Sequence, residues 1–80
     1  MLTIGNMLLL RRKELKLTQE ELSKKTGISS ISIGKYERGV CLPEISLLYR
    51  LTNALKINYN EAYKVLIEEK KAKKERDYGN

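Results

Sequence analysis

The chain has no histidine, one cysteine and one proline among its 80 residues, and each scarcity removes a class of function. Without histidine, catalysis by a nucleophile paired with an imidazole is excluded. With Cys41 the lone thiol, a structural zinc site lacks ligands and an internal disulfide is impossible. A reducing, cytoplasmic setting is the expectation. The longest apolar run, Met7 to Leu10, is far shorter than the roughly 20 residues a membrane helix needs. The first residues also lack the basic stretch, long apolar segment and small-residue cleavage site of a secretory signal, so none is expected. With Pro43 the only proline and no strand-like alternation, the local signals are helical throughout.

What the chain does have is charge. Sixteen basic residues against 10 acidic ones leave a net charge of +6, which favours a polyanionic partner. Five of the basic residues lie in Lys70 to Arg76, KKAKKER, so part of the excess belongs to a helix end or tail. The length suits one domain with a small core. Residues 1–67 are expected to form that domain and residues 68–80 a basic C-terminal helix end or tail.

Five short helices are expected. The first runs from about Thr3 to Leu15, with Ile4, Leu8 and Leu15 near one face and Arg12 beside them. The second starts at the N-cap Thr18, with Glu21 in the capping-box position and Leu17 and Leu22 placed for a hydrophobic staple; Gly27 ends it in a left-handed turn. Ser29 opens the third, which continues to Arg38 and stops at Gly39. Pro43 and Glu44 open the fourth, whose inner face carries Ile45, Leu48, Thr52 and Leu55. Asn58 caps the fifth, with Glu61 at the capping-box position and Tyr59, Ala62, Tyr63 and Leu66 facing inward. Connections of two to five residues between such helices make a compact all-α domain.

The segment Thr18 to Gly39, TQEELSKKTGISSISIGKYERG, is laid out as a helix-turn-helix, which places its second helix in the major groove of DNA. Ile33 and Tyr36 mark the inner side of that helix, with Glu37 at the border. Ser30, Ile31, Gly34, Lys35 and Arg38 form the opposite stripe.

The stretch LTQEELSKKTGISSISIGKYERG, followed by PEISLLYRLTNAL, resembles the Xre family of lambda-type phage repressors, Cro proteins and their bacterial relatives, over roughly Ile4 to Tyr63. The likeness rests on unlike constraints at fixed spacing. Counted from Gln19, a small residue stands fifth (Ser23), the turn glycine ninth (Gly27), a branched residue fifteenth (Ile33) and an apolar one eighteenth (Tyr36). Ser23 is small where two helices cross, Gly27 permits a positive φ, and Ile28 and Ile33 fill the wedge.

That resemblance implies a five-helix, lambda-repressor-like fold and a role for each site residue. Ser30, Ile31, Gly34 and Lys35 match the positions closest to bases, with Lys35 suited to guanine O6 and N7 and Ile31 to a thymine methyl. Gly34 either lets the helix approach DNA closely or relieves crowding. Gln19 matches a phosphate-clamping glutamine, helped by the helix N-terminus. Ser29 and Ser32 match positions that reach the backbone or groove wall. Arg38 matches a phosphate contact, a role compatible with complementing the helix C-terminus. Arg12 and Glu37 match a partly buried interhelical ion pair.

The chain departs from the family where Val40-Cys41-Leu42 replaces a loop that is usually polar or basic. Leu42 either closes the core or joins Val40 and fifth-helix residues in a dimer or partner surface. Cys41, with no adjacent cation or histidine, is read as a small surface or half-buried residue. Arg11 replaces a residue that is commonly leucine.

The implied function is a sequence-specific DNA-binding transcriptional regulator, a repressor acting as a dimer on a two-fold operator with half-sites about 34 Å apart. Double-stranded DNA is the expected partner, with a homodimer formed in solution or on DNA. No enzyme activity, cofactor, metal, membrane or small-molecule ligand is expected. The alternatives are a protein-interaction module on the same scaffold and an antitoxin whose basic tail binds its toxin.

Overall fold

The computed structural model describes the backbone of residues 2–78 and the side chains of residues 2–73. Among the described residues the chain forms five helices and no strand: α1 (Ile4–Glu14), α2 (Gln19–Thr26), α3 (Ser30–Glu37), α4 (Ile45–Leu55) and α5 (Tyr59–Tyr78). No helix among them is long and apolar enough to cross a membrane.

Side chains close to the break points set the helix starts. Thr3 Oγ1 accepts the Asn6 N–H at 3.1 Å. At α2 the capping box is reciprocal: Glu21 N–H donates to Thr18 Oγ1 at 3.0 Å, and Thr18 N–H donates to Glu21 Oε1 at 2.9 Å. Ser29 Oγ accepts from Ser32 N–H at 3.1 Å, and Asn58 Oδ1 from Glu61 N–H at 3.1 Å. Each such cap contributes about 1 kcal/mol. Gly27, at φ 76°, ends α2 with its N–H on Ser23 O at 2.8 Å.

The end of α4 is closed from another helix. Arg11 Nε donates to Leu55 O at 2.9 Å, setting a cation against the negative end of the α4 dipole. This gives Arg11 a structural role at a position where a leucine would only add apolar area.

The core draws on every helix: Ile4 and Leu8 from α1, Leu22 from α2, Ile33 and Tyr36 from α3, Leu48, Leu51 and Leu55 from α4, Ala62 and Leu66 from α5, with Ile28 filling the turn. Buried Thr26 and Thr52 satisfy their hydroxyls on Leu22 O (2.8 Å) and Tyr49 O (3.1 Å). Two expected inward residues face out, Ile45 (44% exposed) and Tyr63 (38% exposed). The inner stripe of α4 is Leu48, Leu51, Thr52 and Leu55, and Ile45 falls at its edge in the first turn. Tyr63 follows buried Ala62 and is turned about 100° from it; half-buried Val65 packs on the core instead.

α5 continues without a break through the expected boundary between residues 67 and 68. Beyond that point the Glu69 carboxylate accepts the Ile4 N–H, so α5 caps the positive end of α1. The side chains of residues 74–80, and with them Lys74 and Arg76 of the basic tail, lie outside the described residues.

The crossing of α1 and α3 depends on one missing methyl. A Cβ on buried Gly5 would lie 2.4 Å from Tyr36 O and 2.9 Å from Glu37 O, both backbone atoms that cannot rotate away. Gly5→Ala is therefore expected to cost about 1–3 kcal/mol by overpacking, which in a domain of this size lowers Tm by about 5–20 °C. An unchanged melting curve would show that α3 does not press on α1.

Candidate nucleic-acid interface

Arg12 holds the start of α2 and the end of α3 together. Its Nε donates to Glu37 Oε2 at 2.7 Å and its Nη2 to Glu37 Oε1 at 3.0 Å, a bidentate pair. Its Nη1 donates to Leu17 O at 2.7 Å, in the connection leading into α2. Both side chains are largely removed from water, 12% exposed for Arg12 and 3% for Glu37. The bond to Glu37 raises the Arg12 pKa further above its ordinary value, against the opposing effect of burial. A raised pKa stabilises the fold at every pH below the ordinary arginine range, so this contribution is constant over any working range.

Gln19 is the third member of the cluster. Its Nε2 donates to Glu37 Oε1 at 2.9 Å, so the amide at the head of α2 is fixed by a carboxylate at the end of α3. One amide proton is committed to Glu37, leaving the other N–H and Oε1 for a ligand. The start of α2 is further held by Glu21, whose pKa is lowered chiefly by the hydrogen bond from the Thr18 backbone. That cap is present above the unfolded value of 4.5 and is lost as pH falls through the lowered folded value.

The residues matched to the reading stripe separate into three groups. Ile31 (71% exposed), Lys35 and Arg38 are exposed, and Ser30 is half-buried. Gln19, Ser30, Ile31, Gly34 and Arg38 line one open notch on the α2–α3 face. Gly34 itself is buried, which corrects its place on an exposed stripe. A Cβ there would lie 2.9 Å from Arg38 Nη1 and 3.5 Å from Gln19 Nε2, because both side chains fold over it. The glycine relieves crowding between the notch's own polar groups.

The Arg38 guanidinium therefore lies one turn back from the end of α3. Ser29 and Ser32 hold each other: Ser29 Oγ accepts the Ser32 N–H and donates to Ser32 Oγ at 3.0 Å. The Ser32 hydroxyl proton remains free to meet an acceptor.

The loop after α3 divides. Val40 is 59% exposed, whereas Cys41 and Leu42 are half-buried and pack on the core. Tyr36 lies in that neighbourhood, and burial is the first cause raising its phenol pKa. Among the described residues no group of three His, Cys, Asp or Glu side chains could hold a metal ion. The Gln19–Glu37 bond and the burial of Gly34 were invisible to residue spacing, since both depend on how α2 sits across α3.

A helix-turn-helix family profile, HTH_3, matches residues 8–61. The HTH-type transcriptional regulator DicA of Escherichia coli is 43% identical over 54 residues, covering 68% of this chain and 40% of DicA. An uncharacterized HTH-type transcriptional regulator of Methanothermobacter thermautotrophicus is 43% identical over 44 residues, covering 55% of this chain and 64% of that protein. Among solved structures, the P22 c2 repressor in complex with synthetic operator 9T superposes with a TM-score of 0.73 at 31% identity, covering 78% of this chain and 94% of that one. An HTH_3 family transcriptional regulator from Vibrio cholerae gives a TM-score of 0.68 at 28% identity, covering 76% and 34%. The chain thus spans well under two thirds of DicA's length.

Removing one partner of the ion pair should cost more than removing both. Arg12→Ala leaves the Glu37 carboxylate buried without its cation and is expected to cost about 3–5 kcal/mol, read as a lower urea midpoint. Arg12→Met combined with Glu37→Met removes both charges and should recover most of that loss. A double variant as unstable as Arg12→Ala would show that packing, rather than the stranded charge, sets the cost.

Proposed function

The chain belongs to the HTH_3 helix-turn-helix family, and from that membership we propose that it is a sequence-specific DNA-binding transcriptional regulator acting as a repressor. The observation that carries this reading is the α2–α3 notch. Gln19, Ser30, Ile31 and Arg38 converge there, and the ion pair below them fixes the pose of Gln19. The P22 c2 repressor, similar in fold, is in complex with an operator, which supports DNA as the partner of this chain.

In this mechanism α3 enters the major groove. Lys35 reads a guanine, Ile31 packs on a thymine methyl, and Ser30 hydrogen-bonds either base type. Gln19, Ser29, Ser32 and Arg38 hold phosphates, with the first N–H groups of α2 adding a positive helix end. Gly34 adds no base contact and leaves room for Gln19 and Arg38 to reach the backbone. With one lysine and no asparagine or arginine on the base-facing positions, DNA shape and phosphate contacts carry much of the preference.

One small domain of this kind binds weakly alone, so a dimer on a two-fold operator with half-sites about 34 Å apart supplies the affinity. Repression follows by occupying a site that polymerase or a competing regulator needs. Residues 1–67 form the DNA-binding unit, residues 68–80 follow it as a basic helix end or tail, and the protein works in the cytoplasm on the nucleoid.

Selection of bound sequences from a random duplex pool tests this reading. The expected product is a two-fold motif with one fixed half-site spacing, bound less tightly as salt rises; absence of any enriched duplex at low salt would refute it. Within that motif, Lys35→Ala should cost about 1–3 kcal/mol of discrimination at one base pair, while Gln19→Ala should weaken all sequences about equally. A base-selective loss in Gln19→Ala would contradict its phosphate role.

A further inference from the structure

The face between the end of α2 and the outer side of α4 carries features that DNA binding by α3 does not use. Two adjoining clefts, meeting at Lys25 and Ala54, make up a groove on this face. One end, of about 530 Å3, is walled by Tyr49 and Arg50. The other reaches Leu15, Leu17 and Lys56.

Charge in this groove has one sign. Lys25, Arg50 and Lys56 line it and no acidic residue does. Among the described residues the ion pairs are Arg11–Glu14 and Arg12–Glu37, and none of the three groove cations makes a direct ion pair with a described carboxylate, although Lys25 lies close enough to Glu21 to help lower its pKa. Glu21, one turn before Lys25 on α2, is engaged with the Thr18 N–H.

Apolar surface lies beside the charge. Leu15, Leu17 and Ala54 are half-buried, and each packs against the core on one side while lining the groove on the other. Tyr49 is 59% exposed. Its ring meets Tyr59 edge-on with centroids 5.8 Å apart, and Tyr59 in turn lies 6.0 Å from Tyr63, so the wall is braced from behind. An exposed aromatic, an arginine and a strip of aliphatic surface are what protein interfaces concentrate at their centres.

We propose that this groove docks an acidic, amphipathic segment of a partner protein. Carboxylates of the segment pair with Lys25, Arg50 and Lys56, and its apolar side chains lie on Leu17, Ala54 and Tyr49. A phosphate backbone would use the cations and leave the aliphatic strip uncovered, so an acidic peptide matches both halves of the surface. From Tyr49 to Lys56 the groove follows α4 for about 10 Å, the length of two turns of a docked helix.

The groove lies apart from the DNA-facing notch. Lys25 is six residues beyond Gln19, about 9 Å along α2 and about 120° around it. A segment in the groove therefore leaves the α3 face open, and the partner joins the regulator on its operator. Peptide docking in the groove does not depend on which DNA sequence is read; its placement on an operator rests on the proposed function.

The test selects peptides of about 12 residues from a random display library against the full chain, then measures each against Lys25→Glu/Arg50→Glu. Both side chains are exposed, so the fold is expected to persist, as circular dichroism would verify; Lys56→Glu gives an independent arm. The expected peptides combine Asp or Glu with Leu or Phe at helical spacing and lose about tenfold or more in affinity on the double variant. At physiological salt, where charges more than about 8 Å from the duplex are largely screened, binding of a selected duplex by the same variant should fall far less than peptide binding. Three results would overturn the proposal: no enrichment of acidic–apolar sequences, peptides that bind the variant as well as the parent, or a duplex loss as large as the peptide loss. The last would assign the groove to nucleic acid.

Discussion

Four hydrogen bonds meet at the Arg12–Glu37 pair and join three helices. Arg12 of α1 gives two to Glu37 of α3 and one to Leu17 O ahead of α2, and Gln19 of α2 gives the fourth to Glu37. Glu37 is almost fully buried, so its charge is tolerable only while these donors stay in place. The cluster therefore permits one arrangement of α2 against α3. A helix-turn-helix needs that arrangement fixed more than it needs extra stability, because a phosphate contact from α2 and a base contact from α3 must fall on the same duplex register.

Two glycines let the cluster form where it does. Gly5 allows α1 to meet the last carbonyls of α3, which brings Arg12, two turns further along α1, opposite Glu37. Gly34 leaves space above α3 for Gln19 and Arg38. One glycine serves backbone against backbone and cannot be replaced without moving a helix. The other serves two flexible side-chain ends that could shift. On the proposed reading surface Ile31 and Lys35 project freely, whereas Gln19, beside Gly34, is partly committed to Glu37.

Sequence spacing exposed what is local and concealed what is shared between helices. Thr18 with Glu21, Ser29, Asn58 and Gly27 announced the helix ends because caps and left-handed turns are set by neighbours within a few residues. The inner stripes of α4 and α5 were legible except at their margins, where Ile45 and Tyr63 turned outward and Leu51 and Val65 turned in. A periodic pattern fixes a face to within about 100° per residue and does not say how far the neighbouring helix extends over it. The Arg12–Glu37 pair was reachable only through family resemblance, since 25 residues separate its members. The roles of Gly5, the Arg11 bond to Leu55 O and the Glu69 cap on α1 left no local signal. Each joins elements distant in the chain.

In the proposed function duplex DNA lies on the latched α2–α3 face. The most direct measurement of this is a titration of the isotope-labelled chain with a selected duplex, followed by amide chemical shifts, including the Gln19 side-chain amide. The largest changes are expected at Gln19 and across residues 29–38, with the Gln19 amide shifting while its link to Glu37 persists. Changes centred on α4 or α5, with α3 undisturbed, would contradict it.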